Sequence, residues 1–465
     1  MNASRSLEER LKQSFPHQPT ENQGEFFKCF ADFLRSNEAI FMLKGYAGTG
    51  KTSLLKSVVH TMKGMKIPVV LMAPTGRAAK VMSNQSGKMA FTIHRFIYRS
   101  GQAEDGSPVF SLKSNKYKRA LFIVDEASMI GADIQDLHGR RLLDDLIEYC
   151  FSADGICKLL IVGDTAQLPP VGAVQSPALD IQYLESNYAV DIASIELKQV
   201  VRQAVESSIL ASATVLRECL EPGQDFKITR GKDVSILEDT MEIEEVFQHC
   251  FSRENYLNSI VIVRSNKRAN AINQAIRASV LYREQEIEAG DLMMITRNNY
   301  HWLEEGQGGF LANGDMVEIL RIKEYDERYG FRFAKVEFSL ALPDSTAHFD
   351  AWIHLDLLVE ETPSWPQFKM KKLFLDVLGT YAHLSRTKQK EAALKDPFLQ
   401  ALQVKFAYAV TCHKSQGGQW TNVLVERPWL PEGIWSTEDK RWLYTAITRA
   451  SGHLYLMGFE SILYE

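Results

Sequence analysis

Short apolar runs recur along the first half of the chain, each followed by a turn that carries Gly or Asp. They lie at residues 39–43, 69–72, 121–124 and 159–162. Strands of a parallel sheet are continuously apolar in this way, because helices cover both faces of the sheet. The pattern therefore predicts an α/β unit built on a buried parallel sheet.

The second half of the chain repeats this pattern and carries a different segment within it. Residues 259–263 and 405–410 are again apolar runs, which predict strands of a second α/β unit. Between them, residues 317–322, 332–340 and 351–359 are typical of a small β-sheet or barrel, opened by a turn at Gly314 and Asp315. Residues 369–395 then combine many basic side chains with helical character. We interpret this segment as a β-rich insertion that splits the second unit.

The length of the chain favours several domains. At 465 residues it exceeds the usual size of one hydrophobic core. The expected layout is a first domain at residues 1–200, a second at 201–311 and 398–465, and the insertion at 312–397. With 45% hydrophobic and 24% charged residues the composition is that of an ordinary globular protein. The net charge of −5 gives no overall attraction for nucleic acid, so such a partner requires local basic patches.

Neither the apolar runs nor the N-terminus resembles a membrane or export signal. The runs are far too short to span a bilayer, and residues 1–15 lack the apolar core of a signal peptide. The 6 cysteines contain no CxxC pair and lie at positions 29, 150, 157, 219, 250 and 412. That spacing favours reduced thiols over a disulfide framework or a zinc site. We therefore expect a cytoplasmic protein with no membrane partner.

A glycine-rich segment follows the first apolar run. Residues 45–52 read GYAGTGKT and precede a helix-compatible stretch at 53–62. Glycines here let backbone N–H groups curl around phosphate oxygens, and the following helix presents its positive end to them. Lys51 adds charge at the β- and γ-phosphates, and the Thr52 hydroxyl is a ligand for Mg²⁺. A plain glycine-rich turn is the alternative; the predicted ATP contacts are Gly45, Ala47, Gly48, Thr49, Gly50, Lys51 and Thr52.

Two more motifs follow the later apolar runs. We assign Asp125 to Mg²⁺ and Glu126 to the attacking water, because carboxylates at a strand end can hold the metal and polarise a nucleophile. Residues 163–172 read GDTAQLPPVG, and two prolines stiffen this loop so that the Gln167 amide can sense the γ-phosphate. Taken alone, an acidic pair at a strand end is usually a solvated loop. The loop at 163–172 has a bland alternative too, an ordinary turn.

These motifs resemble superfamily 1 helicases. The remaining ones are APTGRAAK at 73–80, TIH at 92–94, LKQVVRQ at 197–203, AYAVTCHKSQG at 407–417 and LYTAITRA at 443–450, all in the family's order. The TIH, GDTAQLPPVG and HKSQG forms are most similar to the RecD/Dda branch, which moves 5′→3′ on single-stranded DNA. The resemblance implies an α/β fold of two RecA-like P-loop domains. It also implies a small pin inserted in the first, at about residues 99–119, and an SH3-like insertion in the second.

The resemblance also implies roles for individual residues around the nucleotide. Arg202 and Arg449 correspond to two arginines that contact the γ-phosphate from the inter-domain cleft, where they offset developing charge. Gln23 corresponds to the glutamine that reads the adenine edge. Gln416 and Gly417 correspond to the segment that links nucleotide to nucleic acid. The implied catalytic set is Lys51, Asp125, Glu126, Gln167, Arg202 and Arg449.

A further group corresponds to the family's nucleic-acid contacts: Thr75, Arg77, Thr92, His94, Thr411, His413 and Lys414. Hydroxyls and cations suit phosphates and fix position without reading sequence. Residues 111–119 (SLKSNKYKR) lie where the family places its pin, with Phe110 and Tyr117 beside the cations. Such pairs suit phosphate contact and base stacking. The alternatives are capping or core histidines at 94 and 413, and a solvated charged face at 111–119.

The motifs and the resemblance together predict an ATP-dependent DNA helicase that uses ATP and Mg²⁺, and the resemblance alone implies that it moves 5′→3′. Its partners are single-stranded DNA and forked or tailed duplex DNA, while the sequence identifies no protein partner. A monomer suffices, because both halves of the nucleotide pocket lie on one chain. Three alternatives stay open: a translocase or helicase–nuclease subunit that does not itself separate strands, a P-loop ATPase acting on a small molecule or protein, and an RNA helicase.

Overall fold

The computed structural model describes residues 6–102, 108–131, 141–152, 155–201, 207–221, 224–299, 301–303, 311–340, 348–362 and 364–460. The side chains at 100–102, 108–110 and 432 lie outside this description, as does the candidate catalytic residue Arg202. Among the described helices, none combines the length and apolar character needed to cross a membrane.

The first domain contains α1 (Leu7–Ser14), α2 (Glu21–Phe33), β1 (Ile40–Gly45), α3 (Lys51–Gly64), β2 (Val69–Ala73), α4 (Gly76–Ser86), β3 (Ala90–Thr92), α5 (Ile93–Ile97), β4 (Tyr98–Gln102), β5 (Pro108–Leu112), β6 (Arg119–Val124), α6 (Leu142–Phe151), β7 (Ile156–Gly163), α7 (Ile181–Tyr188) and β8 (Ile192–Leu197). Six strands form one parallel sheet in the order β3-β2-β6-β7-β1-β8. The four strands expected from the apolar runs are confirmed as β1, β2, β6 and β7.

An aromatic face on α2 anchors β1 in the core. Phe26, Phe30 and Phe33 are buried, and their rings meet Phe41 of β1 at centroid distances of 5.3–5.8 Å in edge-on arrangements. Burying one such side chain contributes about 1.5–3 kcal/mol. The cluster therefore fixes the strand whose end carries the glycine-rich loop.

Where a pin is expected, β4 and β5 form an antiparallel hairpin in which Ser100 pairs with Phe110. The hairpin is shorter than the expected range 99–119, because the chain returns to the domain after Leu112. Asn115 explains the return: its amide donates to Cys150 O at 3.1 Å, and its Oδ1 accepts from Tyr117 N at 2.9 Å. The Tyr117 ring then packs against Phe122 of β6 at 5.8 Å. Most of the basic segment at 111–119 thus lies outside the hairpin.

The rest of the chain contains α8 (Ser208–Glu218), β9 (Val234–Leu237), α9 (Thr240–Cys250), β10 (Ser259–Val263), α10 (Asn266–Ala275), β11 (Leu292–Ile295), β12 (Met316–Arg328), β13 (Phe331–Leu340), β14 (His348–His354), α11 (Gln367–Thr380), α12 (Arg386–Leu394), β15 (Val404–Phe406), β16 (Ala409–Thr411), α13 (Cys412–Ser415), β17 (Trp420–Glu426), α14 (Thr437–Ile447) and β18 (Ala450–Met457). A second parallel sheet has the order β16-β10-β17-β18-β9, and an antiparallel sheet has the order β14-β13-β12-β11-β15.

The run at 405–410 was expected to form one strand, and this was wrong. It forms two strands in two sheets, β15 in the insertion and β16 in the second parallel sheet. Tyr408 lies at the change: its carbonyl accepts from Val261 N of β10 at 2.9 Å, and its hydroxyl accepts from Leu292 N of β11 at 3.0 Å. One buried residue therefore joins both sheets, and the insertion sheet extends beyond 312–397 at both ends.

Two other expectations for the insertion differ in detail. The strand expected at 351–359 ends at His354 in β14, and a turn follows it. The basic stretch at 369–395 forms two helices, α11 and α12, separated by residues 381–385. Pairing of β14 with β13 stops at His354, which explains why the apolar residues beyond it do not continue the sheet.

Candidate nucleotide site and nucleic-acid contacts

Three motif-bearing loops meet at one edge of the first sheet. The strands β6, β7 and β1 are neighbours, and their register pairs Val124 with Ile161 and Lys44 with Gly163. Because the strands are parallel, the loops that follow their carboxyl ends lie side by side. The glycine-rich loop, the acidic pair and the GDTAQLPPVG loop are therefore adjacent, as their order in sequence alone could not guarantee.

A cavity of about 570 Å³ lies at this edge, and both domains contribute to its walls. From the first domain it is lined by Ala47, Gly48, Gly50, Lys51, Thr52, Asp125, Glu126, Asp164 and Gln167. The second domain adds Gly417, Gly418, Thr448 and Arg449. The structure thus brings Lys51 and Arg449, which are far apart in sequence, to the same cavity.

The glycine-rich loop uses the conformational freedom of its glycines. Gly48 and Gly50 have positive φ values of 74° and 84°, where other residues are strained. A Cβ on Gly50 would also lie 2.5 Å from the Gln23 amide nitrogen. The loop therefore requires glycine at position 50 for both conformation and close packing.

Gln23 lies behind the loop rather than in open space. Its Nε2 donates to Thr49 O at 2.9 Å, and its Oε1 accepts from Thr20 N at 3.0 Å in the capping box of α2. Only 1% of the residue is exposed. The side chain thus couples the start of α2 to the glycine-rich loop, and its contact with adenine stays a prediction.

Lys51 bonds to its own loop in this structure. Its Nζ donates to Gly45 O at 2.6 Å and to Tyr46 O at 2.9 Å, and it lies 4.0 Å from Asp164 Oδ2. An ammonium group in such a position can exchange these carbonyl partners for phosphate oxygens. The geometry therefore suits a phosphate-binding lysine at the cavity wall.

The acidic pair after β6 combines partial burial with an unusual backbone. Burial raises the pKa of Asp125 to about 7, and the adjacent Glu126 adds to the rise. Glu126 has a φ of 55°, a left-handed conformation that is uncommon for a non-glycine residue, and its N–H donates to Asp125 Oδ1 at 2.8 Å. A cation beside Asp125 would favour its charged form. With the Thr52 hydroxyl on the same cavity, the donors are oxygen atoms, as hard divalent cations prefer.

Asp164 connects the GDTAQLPPVG loop to both domains. Its Oδ1 accepts from Ala166 N at 3.0 Å, and its Oδ2 accepts from the Tyr444 hydroxyl at 2.8 Å. The same hydroxyl accepts from Ala47 N in the glycine-rich loop at 2.9 Å. Tyr444 of α14 therefore links the glycine-rich loop to Asp164 beside the cavity. Sequence reasoning missed it, although it lies within the LYTAITRA motif.

Second-domain side chains also hold the backbone beside Gln167. Leu168 N donates to Thr445 Oγ1 at 2.8 Å, and Leu168 O accepts from Gln416 Nε2 at 2.9 Å. These bonds fix the loop position next to Gln167 from two sides. Gln416 therefore contacts the loop that carries Gln167, while its role in linking nucleotide to nucleic acid stays a prediction.

Arg449 is 5% exposed and bonded within its own domain. Its Nε donates to Thr445 O at 3.0 Å, and one terminal nitrogen donates to Gly418 O at 3.3 Å. The neighbour of Arg202 on the chain, Val201, lines the same cavity, and its N–H donates to Gly48 O at 3.0 Å. The described part of the chain therefore reaches the cavity at Val201.

The candidate nucleic-acid residues of the first domain follow two neighbouring strands at the sheet edge. Thr75 follows β2 and caps α4, accepting from Ala78 N at 3.2 Å. Thr92 ends β3 and caps α5, accepting from Arg95 N at 3.2 Å. The ring of His94 lies 5.7 Å from that of Tyr98. The hydroxyls thus present two helix starts at one edge, a geometry that suits phosphate.

Arg77 differs from these residues because it contacts the second domain. Its guanidinium lies 3.8 Å from the centre of the Trp420 ring, and a terminal nitrogen lies 3.1 Å from Met316 Sδ. Burial lowers the pKa of Arg77 to about 10. A contact between Arg77 and nucleic acid stays a prediction.

In the second domain, Thr411 ends β16 and His413 and Lys414 lie on α13. Burial lowers the pKa of the Lys414 ammonium to about 8, and it lowers the pKa of His413 as well. No ion pair of Lys414 occurs within the described residues. Among the described residues this half-buried cation therefore has no counter-charge, and a phosphate placed beside it would supply one.

Comparison with known proteins follows the same division of the chain. Residues 22–230 match a family model described as an AAA domain, and residues 406–457 match one described as a UvrD-like helicase C-terminal domain. The ATP-dependent RecD2 DNA helicase of Deinococcus radiodurans is 32% identical over 37% of this chain and 21% of its own length. The ATP-dependent DNA helicase dda of Enterobacteria phage T4 is 24% identical over 59% of this chain and 60% of its own. The chain therefore spans under two thirds of either relative.

A solved Pif1 helicase structure, concerned with unwinding of forked double-stranded DNA by two coordinating Pif1 helicases, has a similar fold. It superposes with a TM-score of 0.51 at 16% identity, covering 96% of this chain and 93% of that one. The likeness extends over both parallel sheets and the segment between them. It supports the two-domain α/β architecture.

Proposed function

We propose that this chain, as a member of the superfamily 1 helicases related to RecD, Dda and Pif1, is an ATP-dependent DNA helicase. In this proposal it moves 5′→3′ on single-stranded DNA. One observation carries the proposal: a single cavity is lined by Lys51 and Asp125 of the first domain and by Arg449 of the second. A nucleotide bound there contacts both domains at once, so its binding and hydrolysis change how they are held together.

Different groups of this chain have different roles at the phosphates of the nucleotide. Backbone N–H groups of the glycine-rich loop bind phosphate oxygens, and Lys51 moves from its carbonyl partners to the β- and γ-phosphates. Glu126 orients the attacking water, while Arg449 offsets charge on the transferred group. Thr52 and Asp125 would hold Mg²⁺, which neutralises charge on the β- and γ-phosphate oxygens when bound. Arg202 is the second arginine in this proposal.

Three residues, Thr75, Thr92 and Lys414, follow the carboxyl ends of β-strands in the two parallel sheets, and we call this region the nucleic-acid edge. In the proposed cycle these residues hold the phosphates of single-stranded DNA. Domain closure around ATP then shifts the two sets of contacts relative to each other, and product release reverses the shift. Single-stranded DNA and forked or tailed duplex are the substrates, and one chain suffices.

The decisive test measures ATP hydrolysis and strand separation together. Lys51→Ala should lower DNA-stimulated ATPase by at least about 10²-fold, as expected when a preorganised charge is removed from a charged transition state. It should leave binding of a single-stranded oligonucleotide within a few-fold of wild type. Lys56→Ala, an exposed lysine on the same helix, is the matched control.

Substrate choice tests polarity and nucleic-acid class. Duplexes with a 5′ or a 3′ single-stranded tail, in DNA and RNA versions, are compared in one unwinding assay. Unwinding of the 5′-tailed DNA alone is the expected result. A folded wild-type chain whose ATPase ignores single-stranded DNA would overturn the motor proposal, whereas preference for RNA tails would redirect it to RNA.

A further inference from the structure

Helix α4 of the first domain lies between the proposed nucleotide cavity and the β-rich insertion. The insertion contacts it through the turn at residues 312–316, where β12 begins. On its other side, α4 contributes four residues to the wall of the cavity, Ala78, Val81, Met82 and Gln85. The position of α4 relative to the insertion therefore affects the shape of the cavity.

The first residue of α4, Gly76, is in direct contact with the insertion. A Cβ on Gly76 would lie 1.9 Å from the Cβ of Ala312, far inside van der Waals contact. Gly76 belongs to the helix and is not among the glycines with positive φ, so no left-handed conformation requires glycine here. Glycine is otherwise less favourable than alanine in a helix. Gly76 therefore serves the close approach of the insertion to α4.

One turn further along α4, Lys80 forms an ion pair with the same turn of the insertion. Its Nζ lies 2.9 Å from Asp315 Oδ2, and the Asp315 side chain is only 2% exposed. The same oxygen accepts from Ala312 N at 2.9 Å, which fixes the carboxylate within its own turn. A buried carboxylate that loses its cation is left uncompensated, which is unfavourable. The pair therefore favours the arrangement of the domains in which Lys80 reaches Asp315.

The second domain holds the start of α4 at a further place. The Arg77 guanidinium lies 3.8 Å from the centre of the Trp420 ring. A Cβ on Gly417 would lie 2.8 Å from the Cβ of Ala78, and both of these residues line the cavity. The insertion and residues 417–420 thus contact one short helical segment, and together they set where this wall of the cavity lies.

We propose that Lys80 and Asp315 are positioning residues for nucleotide binding, because their ion pair holds α4 against the insertion in the arrangement in which both domains line the cavity. The inference rests on the proposed function, since it takes this cavity to be the nucleotide site. A nucleotide that contacts both domains stabilises the same arrangement as the ion pair, so each favours the other. Neither Lys80 nor Asp315 is among the residues that line the cavity, so their effect is indirect.

The first test measures binding of a fluorescent, non-hydrolysable ATP analogue with Mg²⁺ to the full chain without DNA. Lys80→Gln and Asp315→Asn should each weaken binding about tenfold, within the usual range for coupling between sites. Asparagine keeps an oxygen that can accept from Ala312 N. The two substitutions change the net charge in opposite directions, so a general electrostatic effect on the anionic nucleotide would shift the two affinities oppositely. Lys88→Gln, at an exposed position just beyond α4, is the matched control and should leave the affinity unchanged.

The second test asks whether the two side chains act as a pair. The Lys80→Gln/Asp315→Asn double variant should lose less affinity than the product of the two single losses, because either substitution already breaks the pair. In steady-state hydrolysis the KM for ATP should rise in all three variants, while kcat stays near the wild-type value, because saturating nucleotide then holds the domains together. Additive losses in the double variant, or tighter binding by Asp315→Asn, would overturn the inference.

Failure of this inference is distinct from failure of the proposed function. If wild type binds no ATP analogue, the assignment of the nucleotide site fails. If wild type binds it, and Lys80→Gln and Asp315→Asn both behave like Lys88→Gln, only the role of the ion pair fails. If Asp315→Asn does not fold, the comparison of Lys80→Gln with Lys88→Gln decides the matter, because the Lys80 side chain is 32% exposed and its replacement leaves no cavity in the core.

Discussion

The proposed nucleotide cavity and the proposed nucleic-acid edge are built from the same kind of strand-end loop, yet their polar groups are held differently. At the cavity, side chains bond across the domain boundary, as Tyr444 does with Ala47 and Asp164. At the edge, Thr75 bonds within its own helical turn, and Lys414 has no ion-pair partner in the described chain. The first arrangement therefore ties the two domains to each other, whereas the second leaves their contacts local, with a cation that has no ion pair among the described residues.

Arg77 belongs to the edge by its motif but to the domain boundary by its contacts. Its guanidinium stacks on Trp420, and a Cβ on Gly418 would lie 2.7 Å from Arg77 Nε. On the same helix, Lys80 pairs with Asp315 at 2.9 Å. The start of α4 therefore packs against the second domain and its insertion. This exception shows that position at a strand end does not alone decide a residue's role.

Arg449→Ala gives the largest expected contrast between the two regions. It removes a cation from the cavity and should lower DNA-stimulated kcat about 10³-fold, at the lower end of the range for arginine fingers. Oligonucleotide affinity measured without nucleotide should change by less than about threefold, because Arg449 is bonded inside its own domain. Arg253→Ala, at an exposed position, is the control. If Arg449→Ala lowered kcat and DNA affinity by the same factor, the cavity and the nucleic-acid edge would not be functionally separate regions.

Lys414 tests the edge itself, with an intermediate effect. Lys414→Ala should weaken single-stranded DNA binding about tenfold and reduce the slope of log affinity against log salt by about one, as expected for one lost phosphate contact. Because burial lowers its pKa to about 8 and only the charged form attracts phosphate, wild-type affinity should fall as the pH rises from 7 to 9. Lys414→Arg should flatten that pH dependence, since guanidinium stays charged. An unchanged salt slope in Lys414→Ala would show that Lys414 makes no contact with the phosphates of DNA.

The comparison also shows which features were predictable from sequence. The buried strands follow from local apolar runs, and the loops after β1, β6 and β7 follow from their motifs, whereas the strand order that brings these loops together is a property of the folded sheet. The sheet change at Tyr408 was not predictable either, because a continuous apolar run carries no sign of which neighbour each residue will pair with. The contacts of Tyr444 and Arg77 were missed for a similar reason. Their partners lie hundreds of positions away in the sequence, and the spacing of apolar residues along the chain does not predict such long-range contacts.

Arg77→Met gives the smallest expected effect and decides to which region that residue belongs. Methionine keeps a long side chain against Trp420 but loses the cation, so the expected loss is about 1–2 kcal/mol of contact between the domains, the range for a desolvated cation–π pair. The measurements are thermal unfolding and the salt slope of DNA binding, with Arg35→Met on the first domain as the control. A lowered unfolding temperature with an unchanged salt slope places Arg77 at the domain boundary. A salt slope reduced by about one, as for Lys414→Ala, would place it at the edge instead.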